Sequence, residues 1–304
     1  MSTGKQIADA AIANSAIPAP DGTARVKQGA FKSLMYGALA LAILGLVLLL
    51  GDVFNDGAGK ISPELFTNQP SKIRPETSGF QSALIGTVYL MGIVAFLVVP
   101  LGVATAIYLE EYADRTKWWN RLVEVNIQNL AGVPSVVYGI LGLAFIVRGP
   151  LSLGRTIVAG GITLALLVLP VVIIVAREAI RAVPPSIREG SLALGATKWQ
   201  TIWKQVLPGS IAGIATGVIL ALSRAIGETA PLLILGAAIS PRINPSLDNE
   251  VLTAMPLQIF NWTRDSEVDK FLPLAAAAIL VLMVVLLMMN SLAIFLRNRY
   301  EQKW

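Results

Sequence analysis

The sequence contains no cysteine and no histidine among its 304 residues. The first absence excludes disulfides and thiolate chemistry, and the second removes the commonest metal ligand and the usual neutral-pH switch. Together they point away from metal catalysis and leave no cofactor to expect. Charge is scarce as well: 14% of residues are charged against 55% hydrophobic, a balance too apolar for a water-soluble domain. A phosphate-binding loop is also missing. Gly57-Ala58-Gly59-Lys60 approximates one, but Phe54 stands where its first glycine belongs and Ile61 where its Ser or Thr belongs. The chain is therefore not expected to be an enzyme, and any ATP hydrolysis must occur on another polypeptide.

What the sequence does contain is apolar length. Uncharged runs long enough to cross a bilayer as helices cover residues 33–51, 83–109, 125–147, 156–176 and 271–296, and a sixth run, 209–236, carries only Arg224 and Glu228. The expected fold class is an all-α integral membrane protein with six transmembrane helices and both termini on one side. Placing the termini in the cytoplasm puts 15 of the 24 Lys and Arg residues inside, the bias that orients membrane proteins. The formal charge of +5 is mostly this bias and does not argue for nucleic acid. Three segments are expected: a disordered cytoplasmic tail over 1–32, a first helix and outer loop over 33–79, and a five-helix core over 80–304. The first helix has no obvious cleavage site and is read as a retained anchor.

Two features interrupt the apolar pattern. The first is a polar loop over 186–208 containing Glu189-Gly190-Ser191-Leu192-Ala193-Leu194-Gly195-Ala196 and, later, Leu207-Pro208. Between them, Trp199, Ile202, Trp203 and Val206 recur at helical spacing with Lys198, Gln200, Thr201 and Lys204 interleaved, so a short helix there is expected to have one apolar and one basic face. Such a helix either lies alone at the interface or docks a partner.

The second is the charged pair. Ionisable side chains within a span cost roughly 2.5–3.5 kcal/mol each and persist where they face protein or water. On a helical wheel Gly213, Gly217, Ala221, Arg224, Glu228 and Pro231 fall within about 80° of one another. Arg224 and Glu228 either pin two subunits together or meet a permeating solute. The planar guanidinium favours an oxyanion, which it binds in two places and keeps binding when buried. A third segment, Gly132-Val133-Pro134-Ser135-Val136-Val137-Tyr138-Gly139, is expected to kink or pack closely, with packing the preferred reading.

The loop resembles the coupling loop of ABC-importer permeases, with Gly190 and Ser191 where that family has two alanines. The string Ala221-Leu222-Ser223-Arg224-Ala225-Ile226-Gly227-Glu228-Thr229-Ala230-Pro231, with Gln258-Ile259-Phe260-Asn261-Trp262 and Leu296-Arg297-Asn298-Arg299-Tyr300, resembles the signature of the PstA family. Those proteins are permease subunits of bacterial high-affinity phosphate importers. The resemblance implies a type I ABC-importer (MetI-like) permease core in the bacterial inner membrane. It also implies a PstC-like permease partner, a PstB-like ATPase dimer and an outer PstS-like phosphate-binding protein. Arg224, with Glu228 beside it, takes the place of the intramembrane arginine that the family needs for transport. Glu189, Gly190, Ser191, Gly195, Ala196, Trp199, Leu207 and Pro208 take the places that couple to the ATPase.

Other readings stay open on the residues alone. A permease for sulfate, molybdate or phosphonate would look similar. A secondary anion transporter would also carry intramembrane Arg and Glu, but six spans without a visible inverted repeat fit it poorly. The acidic outer residues Asp248, Glu250, Asp265, Glu267 and Asp269 either seat a binding protein or form a solvated face.

Overall fold

The computed structural model describes residues 22–114, 116–236 and 243–300. Most of the expected tail therefore lies outside the described residues, as do Lys5, Arg115, Arg242 and Lys303 from the charge count. Residues 22–32, by contrast, are helical, because α1 runs Gly22–Gly57. Lys27 and Lys32 end the apolar run without ending the helix, since Lys, Gln and Ala are good helix formers.

The chain divides into two compact units, Met1–Asp52 and Val53–Trp304. In the first, the helix has no buried side and leaves Leu34, Leu41 and Leu48 exposed. Apolar residues on every side suit a helix that meets lipid all round.

The second unit begins at Val53 and soon forms a one-turn helix, Pro63–Thr67. Its main helices are α2 Gln81–Ile107, α3 Trp118–Ala131, α4 Ser135–Leu141 and α5 Ile157–Arg181. Then come α6 Pro185–Ala193, α7 Lys198–Thr201, α8 Leu207–Ile226, α9 Ala230–Ile234, α10 Met255–Thr263 and α11 Val268–Tyr300. Among the described residues, π turns extend α2 over Tyr108–Tyr112, extend α4 over Gly142–Val147 and join α7 to α8 over Ile202–Val206. Five helices among the described residues are long and apolar enough to cross a membrane, or six if one bent pair counts as a span.

That bent pair occupies the third expected span, with the break at the Gly132-Val133-Pro134 segment expected to kink or pack closely. Residues 118–131 and 135–147 meet at 104°, so 125–147 is not a straight rod. Pro134 cannot donate a backbone hydrogen bond and restricts Val133, so α3 stops and α4 restarts in a new direction.

α5 is the central helix, with 61% of its most apolar stretch buried. Leu164, Val168 and Val172 on α5 share a core with Leu90, Val94 and Val98 on α2 and with Val218, Ala221 and Ala225 on α8. Contact between α5 and α8 depends on small residues: a Cβ at Gly217 would overlap the Val175 side chain, and one at Gly213 would lie 2.8 Å from the Ala179 Cβ. The glycine stripe of α8 is therefore used within the chain. A second core joins Leu65 and Phe80 to Phe271, Ala275 and Ala278, so residues 53–79 share a compact unit with the C-terminal helix.

Candidate functional site

α8 brings Arg224 into its last turn and then stops at Ile226, where the Gly227 N–H bonds back to the Arg224 carbonyl. Glu228 follows in the break before α9. The expected continuous helical face through Arg224, Glu228 and Pro231 is therefore interrupted. Gly227 favours termination, and Pro231 lies in the first turn of α9, where its missing N–H costs nothing. The break nonetheless keeps the pair together, with Arg224 Nε 3.7 Å from Glu228 Oε1. The Arg224 side chain is 70% exposed and that of Glu228 only 17%. Among the described residues no hydrogen bond occupies the guanidinium, so its five donors are available to an anion.

Arg224 and Glu228 line a cavity of about 250 Å³ whose far wall is the bend itself: Gly132, Val133, Pro134, Ser135 and Tyr138, with Leu167 and Val171 of α5. Tyr138 Oη donates to the Leu130 carbonyl at 2.9 Å, tying α4 back onto α3 across the bend. Gly139 lies so close to Pro231 that a Cβ there would come 2.7 Å from the Pro231 Cα. The bend and the charged string therefore interlock around one cavity. The preferred reading of 132–139 as packing alone missed this wall. The available signal was a Gly and a Pro two residues apart inside an apolar run.

The loop residues form a second site. α6 opens on Pro185, and Gly195 turns the chain with φ of +83°, a conformation that favours glycine. Thr197 caps α7, its hydroxyl accepting from Gln200 N–H while the Gln200 side chain accepts from Thr197 N–H. Ser191 Oγ and Thr201 Oγ1, 2.9 Å apart, tie α6 to α7. This arrangement leaves Glu189, Gly190, Leu192, Gly195 and Trp199 exposed, Leu194 91% exposed, and Ser191 and Ala196 half-buried.

The expected single apolar face is corrected: Ile202 and Val206 are buried, whereas Trp199 and Trp203 stay exposed with their rings 5.3 Å apart. The wheel assumed 100° per residue, and the π turn over 202–206 breaks that count. Leu207 and Pro208 do not close a loop either, because they lie within the continuous helical run Lys198–Ile226. The widened turn just before Pro208 relieves its ring of the clash with a preceding carbonyl.

Two of the acidic outer residues are already paired, Asp265 with Lys72 at 3.4 Å and Glu267 with Lys270 at 2.8 Å. Desolvation works to raise the Asp265 carboxyl, but the Glu267 N–H and Lys72 outweigh it and hold the group below its ordinary value.

Residues 98–302 match the family model of binding-protein-dependent transport system inner membrane components. One relative, "phosphate transport system permease protein PstA 1" of Mycobacterium tuberculosis (strain CDC 1551 / Oshkosh), is 34% identical over 264 residues, covering 86% of each chain. Two solved structures share the fold. A bacterial alginate ABC transporter chain aligns over 91% of this chain and 98% of its own, with TM-score 0.64 and 17% identity. A chain of the inward-facing methionine transporter MetNI aligns over 73% and 92%, with TM-score 0.52 and 16% identity. With a family match over residues 98–302 and a relative 34% identical over 86% of each chain, the chain belongs to the binding-protein-dependent transport system inner membrane components and, among them, to the PstA permeases.

Proposed function

We propose that this chain passes inorganic phosphate inward as one permease of an ATP-driven importer, with a PstC-like permease beside it, a PstB-like ATPase dimer on the cytoplasmic face and a PstS-like binding protein outside. Both termini lie in the cytoplasm. The observation that carries the substrate reading is the guanidinium of Arg224, 70% exposed and 3.7 Å from Glu228, in a cavity that both side chains line. Importing an anion against a negative interior costs about 2.3 kcal/mol per charge per 100 mV, with about 1.4 more for each tenfold of concentration. An external energy source is therefore required, and the chain supplies no nucleotide site of its own. The exposed surface of Glu189, Leu192, Leu194 and Trp199 is where the ATPase docks, and alternating access follows from its movement.

Within the cavity, Arg224 offers charge and donors, and Glu228 accepts a hydrogen bond from the proton that phosphate retains near neutral pH. Sulfate has no such proton. Initial rates of labelled phosphate uptake, with sulfate as competitor, test this division. Glu228→Gln is expected to lower uptake about tenfold, equivalent to about 1.4 kcal/mol, and to let sulfate compete. Unchanged rate and selectivity would remove Glu228 from the acceptor role.

Docking has its own test. Leu194→Asp places a charge on a side chain that nothing in the chain covers, so folding is expected to be unaffected. The ATPase subunit should no longer co-purify with the permeases. Full retention together with undiminished uptake would place the docking surface elsewhere.

A further inference from the structure

A set of ion pairs outside the cavity, some of them buried, connects the loop to two membrane helices. On α6, Arg188 donates through Nε to Glu111 Oε1 at 3.0 Å, and its Nη2 lies 2.9 Å from the same oxygen as an ion pair. It also donates through Nη2 to the Ile180 carbonyl at 2.8 Å and through Nη1 to the Val183 carbonyl. The Ile180 carbonyl lies in the last turn of α5 and the Val183 carbonyl just beyond it, a helix end that favours a cation. Glu111 belongs to the π turn that ends α2. The pair is shielded, with side-chain exposures of 21% for Arg188 and 9% for Glu111. The next residue of the same π turn, Tyr112, lies under Lys198 of α7, its ring centre 5.0 Å from Nζ.

From there the charges continue. Glu110 pairs with Arg181 at 3.0 Å and with Arg177 at 3.5 Å, and Arg177 pairs with Glu124 of α3 at 2.9 Å. α3 leads directly into the bend that walls the Arg224 cavity. Two sets of pairs, joined through the neighbouring residues Glu110 and Glu111 of one π turn, thus connect the exposed loop to the helix that carries the cavity wall.

We propose that Arg188 and Glu111 are positioning residues for transport: they form the joint that makes α6 and the adjoining ends of α2 and α5 one rigid lever. A push on the loop then reaches the cavity wall instead of bending the loop. The inference rests on the reading of the loop as the ATPase dock. A covalent connection alone would not achieve this, because residues 182–184 and the Gly195 turn are short non-helical links that can flex. The Arg188 guanidinium, held by Glu111 at the end of α2 and by the Ile180 and Val183 carbonyls at and just past the end of α5, removes that freedom.

The test uses the assembled importer, isolated as intact complex and reconstituted in vesicles, with phosphate uptake and ATP hydrolysis measured on the same sample. Glu111→Gln, which preserves shape and removes the charge, is expected to lower phosphate moved per ATP about tenfold while the KM for phosphate stays unchanged. Arg188→Lys keeps the charge but lacks the fork, and should lower the ratio about threefold. Their combination should be no worse than Glu111→Gln alone, because both act on one joint. An unchanged ratio in Glu111→Gln, or losses that multiply in the combination, overturns the proposal. If Glu111→Gln does not assemble, the Arg188→Lys ratio decides. Leu194→Asp separates the two readings: retention of the ATPase there defeats the docking assignment, whereas the Glu111→Gln ratio judges the joint in either case.

Discussion

Arg224→Gln is expected to reduce the initial rate of phosphate uptake at least a hundredfold while the assembled complex is recovered in normal yield. The two halves of this result come from different facts. A charge-assisted hydrogen bond contributes about 1.5–3 kcal/mol, so losing a forked pair of them together with the local positive charge is enough for a hundredfold effect, about 2.7 kcal/mol. Yet the side chain is 70% exposed and touches Glu228 only at 3.7 Å, so within the chain its removal costs little packing. Substitutions at such positions change stability by about 0.5 kcal/mol or less. Uptake of labelled phosphate by cells with no other high-affinity importer, normalised to complex recovered by affinity capture, measures both. Loss of assembly would make Arg224 a subunit pin, and unchanged uptake would take it off the anion's path.

The second large effect is expected from Gly139→Ala. A single added methyl would lie 2.7 Å from the Pro231 Cα and 3.0 Å from the Pro231 carbonyl oxygen. Both opposing atoms are backbone, so no side-chain rotamer can move aside. Overpacking of this kind costs about 1–3 kcal/mol, and the strain falls on the segment that follows Glu228. Thermal unfolding in detergent should shift down by several degrees, and uptake should fall about tenfold through displacement of the Arg224–Glu228 geometry. Gly92→Ala, within α2, is the matched control: nothing lies within 4 Å of the added Cβ, and alanine is the better helix former by about 1 kcal/mol. It should leave uptake unchanged and should not lower the unfolding temperature. Equal tolerance at the two positions would mean that α4 and α9 can separate without consequence.

Much of this architecture was readable from composition and spacing, and what was not has physical causes. Apolar runs located every long helix, because the bilayer demands about twenty uncharged residues whatever surrounds them. Direction was invisible to them. Hydropathy is the same on either side of Pro134, so the 104° turn registers in sequence only as a Gly and a Pro. The charged string was found because Arg and Glu are rare in lipid, but its far wall escaped notice because Ser135 and Tyr138 are unremarkable in a span. On the loop, wheel arithmetic grouped Trp199 with Ile202, and a π turn separated them. Glu110, Glu111 and Arg188 sit at helix ends, where charge is ordinary. Their pairing brings together residues more than seventy positions apart, which no local pattern encodes.

The π turns have a mechanical meaning. Each holds one residue more than an α turn would, and handing that residue along the helix rotates everything beyond it by about 100° with a rise of about 1.5 Å. Of the three, Tyr108–Tyr112 carries Glu111 of the joint, and Ile202–Val206 follows the loop that carries Arg188. They are stored slack in otherwise stiff rods. A membrane helix cannot lengthen without exposing backbone to lipid, but one that carries a spare residue can turn on its axis with nearly every hydrogen bond kept.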